Sequence, residues 1–398
     1  EGEKMPRLHA ELATTVNSHL AAVPPAQIRA FDEEISAVPG LVKLTLGEPD
    51  FAVPDHVKKA AIESIQNDDS HYSPSKGKIE LRKAISKYLE QSRHVYYDPE
   101  TEIVVTIGAT EAVTATTFAM LNPGDKVIIP TPAFSLYFPS VSLTGAEPIK
   151  VNTADDGFLL SAERLEEVLA KEGSAVKAVL LNYPNNPTGR SYTEEELKAL
   201  AKVIKDHHIY AIVDEIYSSL MYDQPFHSLA TLLPEQTILI SGLSKSHAMT
   251  GYRLGYVAGP GEFISTMSKM HSFMVTCPND TAQAAAIEAL ENGDDDPQKF
   301  KQAYRQRRDK LASAMRKMGF EIALPDGAFY IFAKIPAQFG KDDLAFARKL
   351  AHEAKVGVIP GNAFGPGGEG YIRLSYAAAD SAIDTAIERL QNFMNNLG

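Results

Sequence analysis

From about residue 101 onward, short apolar runs rich in β-branched residues alternate with longer stretches of mixed polarity. The runs EIVVTIG, KVIIPTP, AVKAVLLNYP, IYAIVDE and QTILISG have the length and composition of buried strands. The stretches GATEAVTATTFAML and TEEELKALAKVIKDH have the pattern of helices. This alternation predicts βαβ units, and therefore an α/β fold with a mostly parallel sheet covered by helices on both faces.

The last hundred residues have a different pattern. A charged helix, the hairpin-like FEIALPDGAFYIFAKI, a second helix, the strands VGVIPG and GYIRLSYA and a closing helix predict a smaller α+β domain. The first fifty residues are rich in proline and poorly periodic, which favours an arm and a crossover that pack with the C-terminal part. We therefore expect three segments: an N-terminal arm with part of the small domain at 1–50, a large domain at 51–290 and the small domain at 291–398.

Composition narrows the classes of function. Asp and Glu number 51 against 39 Lys and Arg, a net charge of −12, which argues against nucleic acid as a partner. The single cysteine, Cys277, allows no internal disulfide, and the paired Cys/His patterns of zinc sites are missing. With neither a signal pattern nor a long apolar run, the sequence leads us to expect a cytoplasmic protein with no membrane or metal partner.

Several turns that follow predicted strands carry polar residues. The segment EIVVTIGATEAV predicts a helix whose first turn contains Gly108, Ala109 and Thr110. The free backbone N–H groups of this turn can bind a phosphate, although an ordinary capped helix has the same pattern. In NYPNNPTG, Asn186 is a candidate ligand donor, and a plain turn is the alternative.

One acidic residue lies at the end of a predicted strand, and one basic residue lies within another. In IVDEIY, Asp214 ends an apolar strand and needs a cation or protonated nitrogen nearby, unless it is a helix cap. In YIRLSYA, Arg373 lies among apolar residues and needs an anion, either a ligand carboxylate or a structural one.

The segment SGLSKSHAMTGYRLGY carries two cations, Lys245 and Arg253, after a predicted strand. Two solvated charges on one helix face are the ordinary alternative, but the glycines weaken a regular helix. A lysine here, near a second cation, would have a lowered pKa and be a better nucleophile. Together with the preceding sites, this describes a ligand with a phosphate, a ring nitrogen and an aldehyde, which matches pyridoxal 5′-phosphate.

At this point the sequence resembles the fold type I, pyridoxal-phosphate-dependent aminotransferases of class I/II over nearly its whole length. GLSKSHAMTGYRLG is similar to the lysine-attachment signature of that family, and NNPTG and DEIY precede it in the expected order. The resemblance implies a seven-stranded, mostly parallel sheet in the large domain. Within the family, LGEPDF and PDGAFYIF look closest to the aromatic and N-acetyl-diaminopimelate aminotransferases.

The resemblance also implies a role for each candidate residue. Lys245 would bind the cofactor covalently and then act as general base, and Asp214 would contact the ring nitrogen. Tyr217 and Asn186 would contact the ring oxygen. The remaining roles are phosphate binding by Gly108, Ala109, Thr110, Ser244 and Arg253, ring stacking by Phe134, contact with the neighbouring subunit's cofactor by Tyr72, and substrate binding by Arg373, Asn186 and Gly47.

These roles imply a homodimeric aminotransferase that moves an amino group from an L-amino acid, aromatic or of broad range, to 2-oxoglutarate by a ping-pong mechanism. The alternatives are an N-acetyl-diaminopimelate aminotransferase and a carbon–sulfur β-lyase with the same cofactor. A third alternative, the cofactor-binding part of a transcription regulator, would need a DNA-binding domain, and too few residues precede LGEPDF to form one.

Overall fold

The computed structural model describes residues 5–397, so residues 1–4 and 398 of the predicted terminal segments lie outside the described residues. The N-terminal part contains few regular elements. They are α1 (Ser18–Ala21), α2 (Gln27–Ser36) and β1 (Val42–Lys43).

A seven-stranded sheet forms the centre of the protein, as the sequence and the resemblance predicted. Its strands are β2 (Ile103–Thr106), β3 (Lys126–Thr131), β4 (Glu147–Asn152), β5 (Val176–Asn182), β6 (Tyr210–Asp214), β7 (Thr237–Gly242) and β8 (Gly255–Ala258). Their order across the sheet is β2-β8-β7-β6-β5-β3-β4. Only β8 pairs antiparallel with its neighbours, so the other six strands point the same way.

Both faces of this sheet are buried, which explains why its strands are continuously apolar. Val105 and Val213 pack into one hydrophobic cluster, whereas their neighbours Val104 and Ile212 pack into another on the opposite face. The helices that cover the sheet are α3 (Asp55–Gln66), α4 (Ile79–Arg93), α5 (Gly108–Met120), α6 (Tyr137–Ser142), α7 (Ala162–Glu172), α8 (Glu194–Asp206), α9 (Leu229–Leu232), α10 (Gly261–Val275) and α11 (Asp280–Asn292). The two predicted helices are therefore confirmed as α5 and α8.

The C-terminal part forms a second core. Its elements are α12 (Asp296–Lys317), β9 (Glu321–Ile322), β10 (Tyr330–Lys334), α13 (Asp343–Lys349), β11 (Val356–Gly357), β12 (Ile359–Pro360), β13 (Tyr371–Ser375) and α14 (Asp380–Leu397). Four of the strands form an antiparallel sheet in the order β12-β13-β10-β9, and β11 pairs with β1 near the N-terminus. Phe31 and Leu44 share the hydrophobic cluster of this part, so the N-terminal segment packs with it, and the division at residues 50 and 290 stays a prediction.

The topology places most candidate residues at one edge of the large sheet. Strands β2, β3, β5, β6 and β7 all end at this edge, and the antiparallel β8 begins there. Ligands of open α/β sheets bind at such carboxyl edges. Within residues 5–397, none of the helices combines the length and apolar character needed to cross a membrane.

Candidate active site

Lys245 lies in the loop after β7, partly buried at the carboxyl edge. Its Nζ atom donates a hydrogen bond to the backbone oxygen of Gly47 at 2.5 Å, and it forms no salt bridge with the described residues. The pKa of the Lys245 amine is lowered to about 8, mainly by burial and also by repulsion from Arg253 and Arg373, while the charges of Glu48 and Asp214 oppose the shift. The sequence suggested a nearby cation as the cause of this shift, but loss of solvent is the larger cause.

The glycines of the Lys245 loop allow its backbone to pack against the start of α5. A Cβ atom on Gly255 would lie 2.6 Å from the backbone nitrogen of Ala109, and one on Gly242 would lie 2.8 Å from the oxygen of Leu254. Any side chain at these two positions would displace the backbone. The glycine pattern of the sequence therefore brings the lysine loop and the helix start together.

Asp214, the last residue of β6, is a buried carboxylate without a cation in contact. Its Oδ1 accepts a hydrogen bond from the backbone N–H of Ile216 at 3.1 Å, and its Oδ2 accepts one from the Tyr137 hydroxyl at 2.7 Å. Burial raises the pKa of the Asp214 carboxyl to about 6, although these hydrogen bonds and the charge of Lys245 oppose the shift. A protonated ring nitrogen would supply the missing positive charge.

Tyr137 is a residue that the sequence analysis missed. It is fully buried at the start of α6, three residues after Phe134, and burial raises the pKa of its phenol well above the ordinary value. The hydroxyl therefore keeps its proton and donates a hydrogen bond to Asp214. The signal in the sequence was a tyrosine inside the apolar stretch that follows β3.

Asn186 and Tyr217 are linked by contacts that run through Arg373 and Tyr330. The Asn186 Oδ1 atom accepts a hydrogen bond from Arg373 at 2.8 Å, and its Nδ2 has no partner among the described residues. The Tyr217 hydroxyl contacts the Tyr330 hydroxyl at 2.7 Å. Asn182, which the sequence analysis also missed, holds this region together, because its Oδ1 accepts the N–H of Asn186 at 2.9 Å.

Arg373 is a buried cation without an anionic partner. Its side chain is 2% exposed, and its Nη1 and Nη2 atoms donate to Asn186 Oδ1 and to the backbone oxygen of Thr45. The Nε atom is buried without any hydrogen-bond partner. Burial lowers the pKa of the guanidinium, and the charge of Asp32, which is not in contact with Arg373, opposes this shift without cancelling it. The group therefore needs an anion, and a ligand carboxylate matches its geometry.

Four of the five predicted phosphate-binding residues, Gly108, Ala109, Thr110 and Arg253, lie at the start of α5. Gly108 has a φ of +71°, and a Cβ atom there would lie 2.5 Å from Nη2 of Arg253. Helix α5, which continues through Ala109 and Thr110, has no side-chain cap, so its first N–H groups are available to an anion. Ser244 is buried, and its hydroxyl has no partner among the described residues.

Phe134 and Tyr72 occupy different surroundings. The ring of Phe134 meets Tyr137 edge to face at 5.8 Å between centroids. Phe134 also lines a largely apolar groove of about 1030 Å³ between residues 18–29, 134–150 and 362–365, called the Phe134 groove below. Tyr72 is 87% exposed, and no hydrogen bond or ring contact joins it to the site of its own chain.

The site fits pyridoxal 5′-phosphate on the chemistry of its own groups. It offers a buried amine with a lowered pKa, a buried carboxylate without a cation, and an uncapped helix start beside an arginine. The described residues contain no cluster of side chains suited to a metal ion. The arrangement therefore suits covalent chemistry on a phosphorylated ring aldehyde and an amino acid.

Comparison with known proteins agrees with this chemistry. The family model described as aminotransferase class I and II matches residues 39–390. A probable N-acetyl-LL-diaminopimelate aminotransferase of Bacillus subtilis is 40% identical, with 92% of each chain covered. Among solved structures, an aromatic aminotransferase from Pyrococcus horikoshii has a TM-score of 0.87 at 36% identity, covering 92% of this chain and 99% of that one. The aspartate aminotransferase from Thermus thermophilus with maleate has a TM-score of 0.90 at 34% identity, covering 95% and 99%.

Proposed function

The chain belongs to the class I and II aminotransferases, which depend on pyridoxal 5′-phosphate, and we propose that it moves the amino group of an L-amino acid, aromatic or of broad range, to 2-oxoglutarate by a ping-pong mechanism. One observation carries the proposal. Asp214 and Arg373 are buried charged groups, Lys245 is a partly buried one, and none of the three forms a salt bridge with the described residues. Such an arrangement is costly for folding, and a ligand that supplies the missing partners explains it.

Each group has a separate task in binding the cofactor. We assign Asp214 to the ring nitrogen, Asn186 and Tyr217 to the ring oxygen, and Phe134 to one face of the ring. The phosphate is assigned to the start of α5 with Ser244 and Arg253, where free N–H groups and a cation converge. Pyridoxal phosphate, when bound, supplies an electron sink for the bond that breaks at the substrate α-carbon.

Lys245 and Arg373 act on the substrate. With a pKa of about 8, the Lys245 amine reaches its neutral form close to physiological pH and can take up a proton from the α-carbon. Arg373 binds the α-carboxylate, which satisfies the buried Nε or shares the Nη donors. The hydrogen bond from Lys245 to Gly47 shows how near the amine lies to the segment proposed to line the substrate site.

We infer an aromatic or broad substrate range from the Phe134 groove, which shares Phe134 with the proposed site but is not lined by Lys245, Asp214 or Arg373. Its lining is largely apolar and includes Leu136, Phe138 and Val23, while Arg29 and Lys150 add positive charge. An apolar groove favours large side chains, and the two cations can accommodate the distal carboxylate of 2-oxoglutarate.

Two alternatives share the same cofactor residues. The 40% identity to a probable N-acetyl-LL-diaminopimelate aminotransferase favours that substrate as the second candidate. A carbon–sulfur β-lyase would use the same lysine and aspartate but would release pyruvate rather than form glutamate.

A substrate panel tests the proposal. The holoenzyme should form glutamate from 2-oxoglutarate with phenylalanine or tyrosine at rates that exceed those with aspartate, because the groove beside Phe134 is apolar. N-acetyl-LL-diaminopimelate, assayed in the same way, measures the second candidate. Pyruvate released from cystathionine without glutamate formation would instead identify a β-lyase, and inactivity with all of these substrates would contradict the proposal.

We also propose that the enzyme is a cytoplasmic homodimer with shared active sites. A single cysteine suits a reducing compartment. Tyr72 is 87% exposed and Phe273 at the end of α10 is 91% exposed, which supports a surface that a second subunit covers. Tyr72 would then contact the cofactor phosphate of the partner.

Replacing Tyr72 with phenylalanine should weaken cofactor binding by about tenfold, the contribution of one hydrogen bond to a charged group. Cofactor release on dilution, followed by visible absorbance, measures the effect. The matched control is Tyr96→Phe, since Tyr96 is also exposed (64%) but has no proposed role.

Hybrid dimers show which subunit Tyr72 serves. A Tyr72→Phe chain paired with a Lys245→Ala chain should retain one site of normal affinity, because the intact lysine receives Tyr72 from its partner. A wild-type chain paired with a Lys245→Ala/Tyr72→Phe chain should have only a weakened site. The opposite result would place Tyr72 in its own subunit's site.

A further inference from the structure

Tyr330, the first residue of β10, lies among the proposed site residues, although the motif that contains it, PDGAFYIF, gave it no role. It is fully buried in the small-domain cluster. Its hydroxyl lies 2.7 Å from the Tyr217 hydroxyl, and the guanidinium carbon of Arg373 lies 4.4 Å from the centre of its ring. One side chain thus contacts both the proposed cofactor donor and the proposed substrate arginine.

The strand register explains the contact with Arg373. Tyr330 pairs with Ser375, and Phe332, two residues later, pairs with Arg373. Residues that pair across antiparallel strands, and residues two apart on one strand, share a face of the sheet. Tyr330 and Arg373 are therefore diagonal neighbours on that face, and the ring supports the guanidinium by a cation–π contact.

The hydroxyl pair has only one useful arrangement. Burial raises the pKa of both phenols, so each keeps its single proton near neutral pH. If Tyr217 donates its proton to a ligand oxygen, it must accept the hydrogen bond from Tyr330. The Tyr330 hydroxyl has no other hydrogen-bond partner among the described residues, so it is free to donate in that direction.

Tyr330 also contacts the segment to which Lys245 donates. A Cβ atom on Gly47 would lie 2.8 Å from the Tyr330 hydroxyl, so any larger residue there would displace it. The backbone oxygen of the same glycine accepts the hydrogen bond from Lys245. The Tyr330 hydroxyl therefore sits where the N-terminal segment, the large domain and the small domain meet.

We propose that Tyr330 is a positioning residue that directs the Tyr217 proton toward the cofactor ring oxygen and supports the guanidinium of Arg373 with its ring. This inference rests on the proposed function and adds a residue to it. Two separate effects follow, because the hydroxyl acts through Tyr217 and the ring acts through Arg373.

Tyr330→Phe tests the hydroxyl alone. A hydrogen bond from Tyr217 to the ring oxygen of the cofactor would reduce the negative charge on that oxygen. The Lys245 nitrogen, once joined to the cofactor, would then lose its proton at a lower pH. Without the hydrogen bond that Tyr330 donates to Tyr217, the pH midpoint of the holoenzyme's visible absorbance should rise by about 0.2–0.5 unit. Such a shift corresponds to a fraction of the free energy of one hydrogen bond. The KM for the amino acid should stay within about twofold, since the ring remains under Arg373.

Tyr330→Leu tests the ring. Loss of the cation–π contact should raise the KM for amino acid about tenfold beyond the phenylalanine variant. Tyr304→Phe is the matched control, because Tyr304 is buried in the same cluster and its hydroxyl has no hydrogen-bond partner. That control should leave both the midpoint and the KM unchanged.

The outcomes separate the inference from the function. A wild-type holoenzyme with normal turnover, in which Tyr330→Phe keeps the wild-type midpoint, would refute the role of the hydroxyl alone. An unchanged KM in Tyr330→Leu would refute the role of the ring. A wild-type protein that binds no pyridoxal phosphate would instead refute the proposed function, and this inference with it.

Discussion

Replacing Lys245 with alanine should abolish the visible absorbance of the holoenzyme and reduce turnover by about 10⁴-fold or more, since both the covalent attachment and the general base are lost. The amine is the only group that we assign to either task. Absorbance spectra after incubation with pyridoxal phosphate, together with glutamate formation, measure the two losses on the same sample.

The control for this variant is Lys205→Ala, an exposed lysine in the last turn of α8. It should keep the spectrum and turnover of the wild type. A Lys245→Ala protein with normal turnover would rule out the proposed mechanism.

The same lysine sets the pH dependence of cofactor capture by the cofactor-free wild type. Only the neutral amine attacks an aldehyde, and burial lowers the pKa of Lys245 to about 8. The capture rate should therefore rise as the pH increases through about 8 and then level off. At pH 7 the amine should react on the order of 10²-fold faster than an ordinary lysine, whose pKa is about 10.4.

Replacing Asp214 with asparagine should reduce turnover on the order of 10²–10³-fold, the usual loss when one electrostatic stabiliser of a reacting centre is removed. The amide keeps the shape of the carboxylate but cannot hold a proton on the ring nitrogen. Single-turnover kinetics should place the loss in the proton-transfer step. Asp206→Asn, at the exposed end of α8, is the control and should be without effect.

Asp214→Asn should also raise the free energy of unfolding of the cofactor-free protein at neutral pH. Burial raises the pKa of Asp214 to about 6, so the folded state binds a proton more tightly than the unfolded state does. The contribution of this bound proton to the free energy of unfolding is complete below about pH 4 and is lost as the pH rises through about 6. The difference between the two limits is about 3 kcal/mol. The unfolding midpoint of Asp214→Asn should therefore exceed that of the wild type at pH 7, and the difference should vanish near pH 4. An equal midpoint at pH 7 would show that Asp214 has another partner.

Much of the fold was predictable from local patterns. The apolar runs became β2, β3, β5, β6 and β7, because strands buried on both faces need an unbroken apolar sequence. The candidate residues at their ends lie at one sheet edge, since parallel strands share a direction. The assigned roles of these residues remain predictions that the variants above test.

The residues that the sequence analysis missed share one property. Tyr137, Tyr330 and Asn182 contact site residues through hydrogen bonds or rings, but no sequence pattern gave them a role, although Tyr330 lies in PDGAFYIF and Asn182 in NYPNNPTG. Tyr330 meets Tyr217 across 113 positions of sequence, and Tyr137 meets Asp214 across 77. Contacts of this kind depend on how the two domains and the sheet pack together.

The sequence by itself determined five of the seven strands of the large sheet, the glycines that allow close packing around Lys245, and the type of each reactive group, because these depend on the residues themselves and on their near neighbours. Only the tertiary structure decided which groups lose their solvent and which lack a partner. Burial lowers the pKa of Lys245 and raises that of Asp214. The fold also places the guanidinium of Arg373 over the ring of Tyr330 without a carboxylate in contact. Desolvation depends on everything packed around a side chain, so no local pattern in the sequence could determine it.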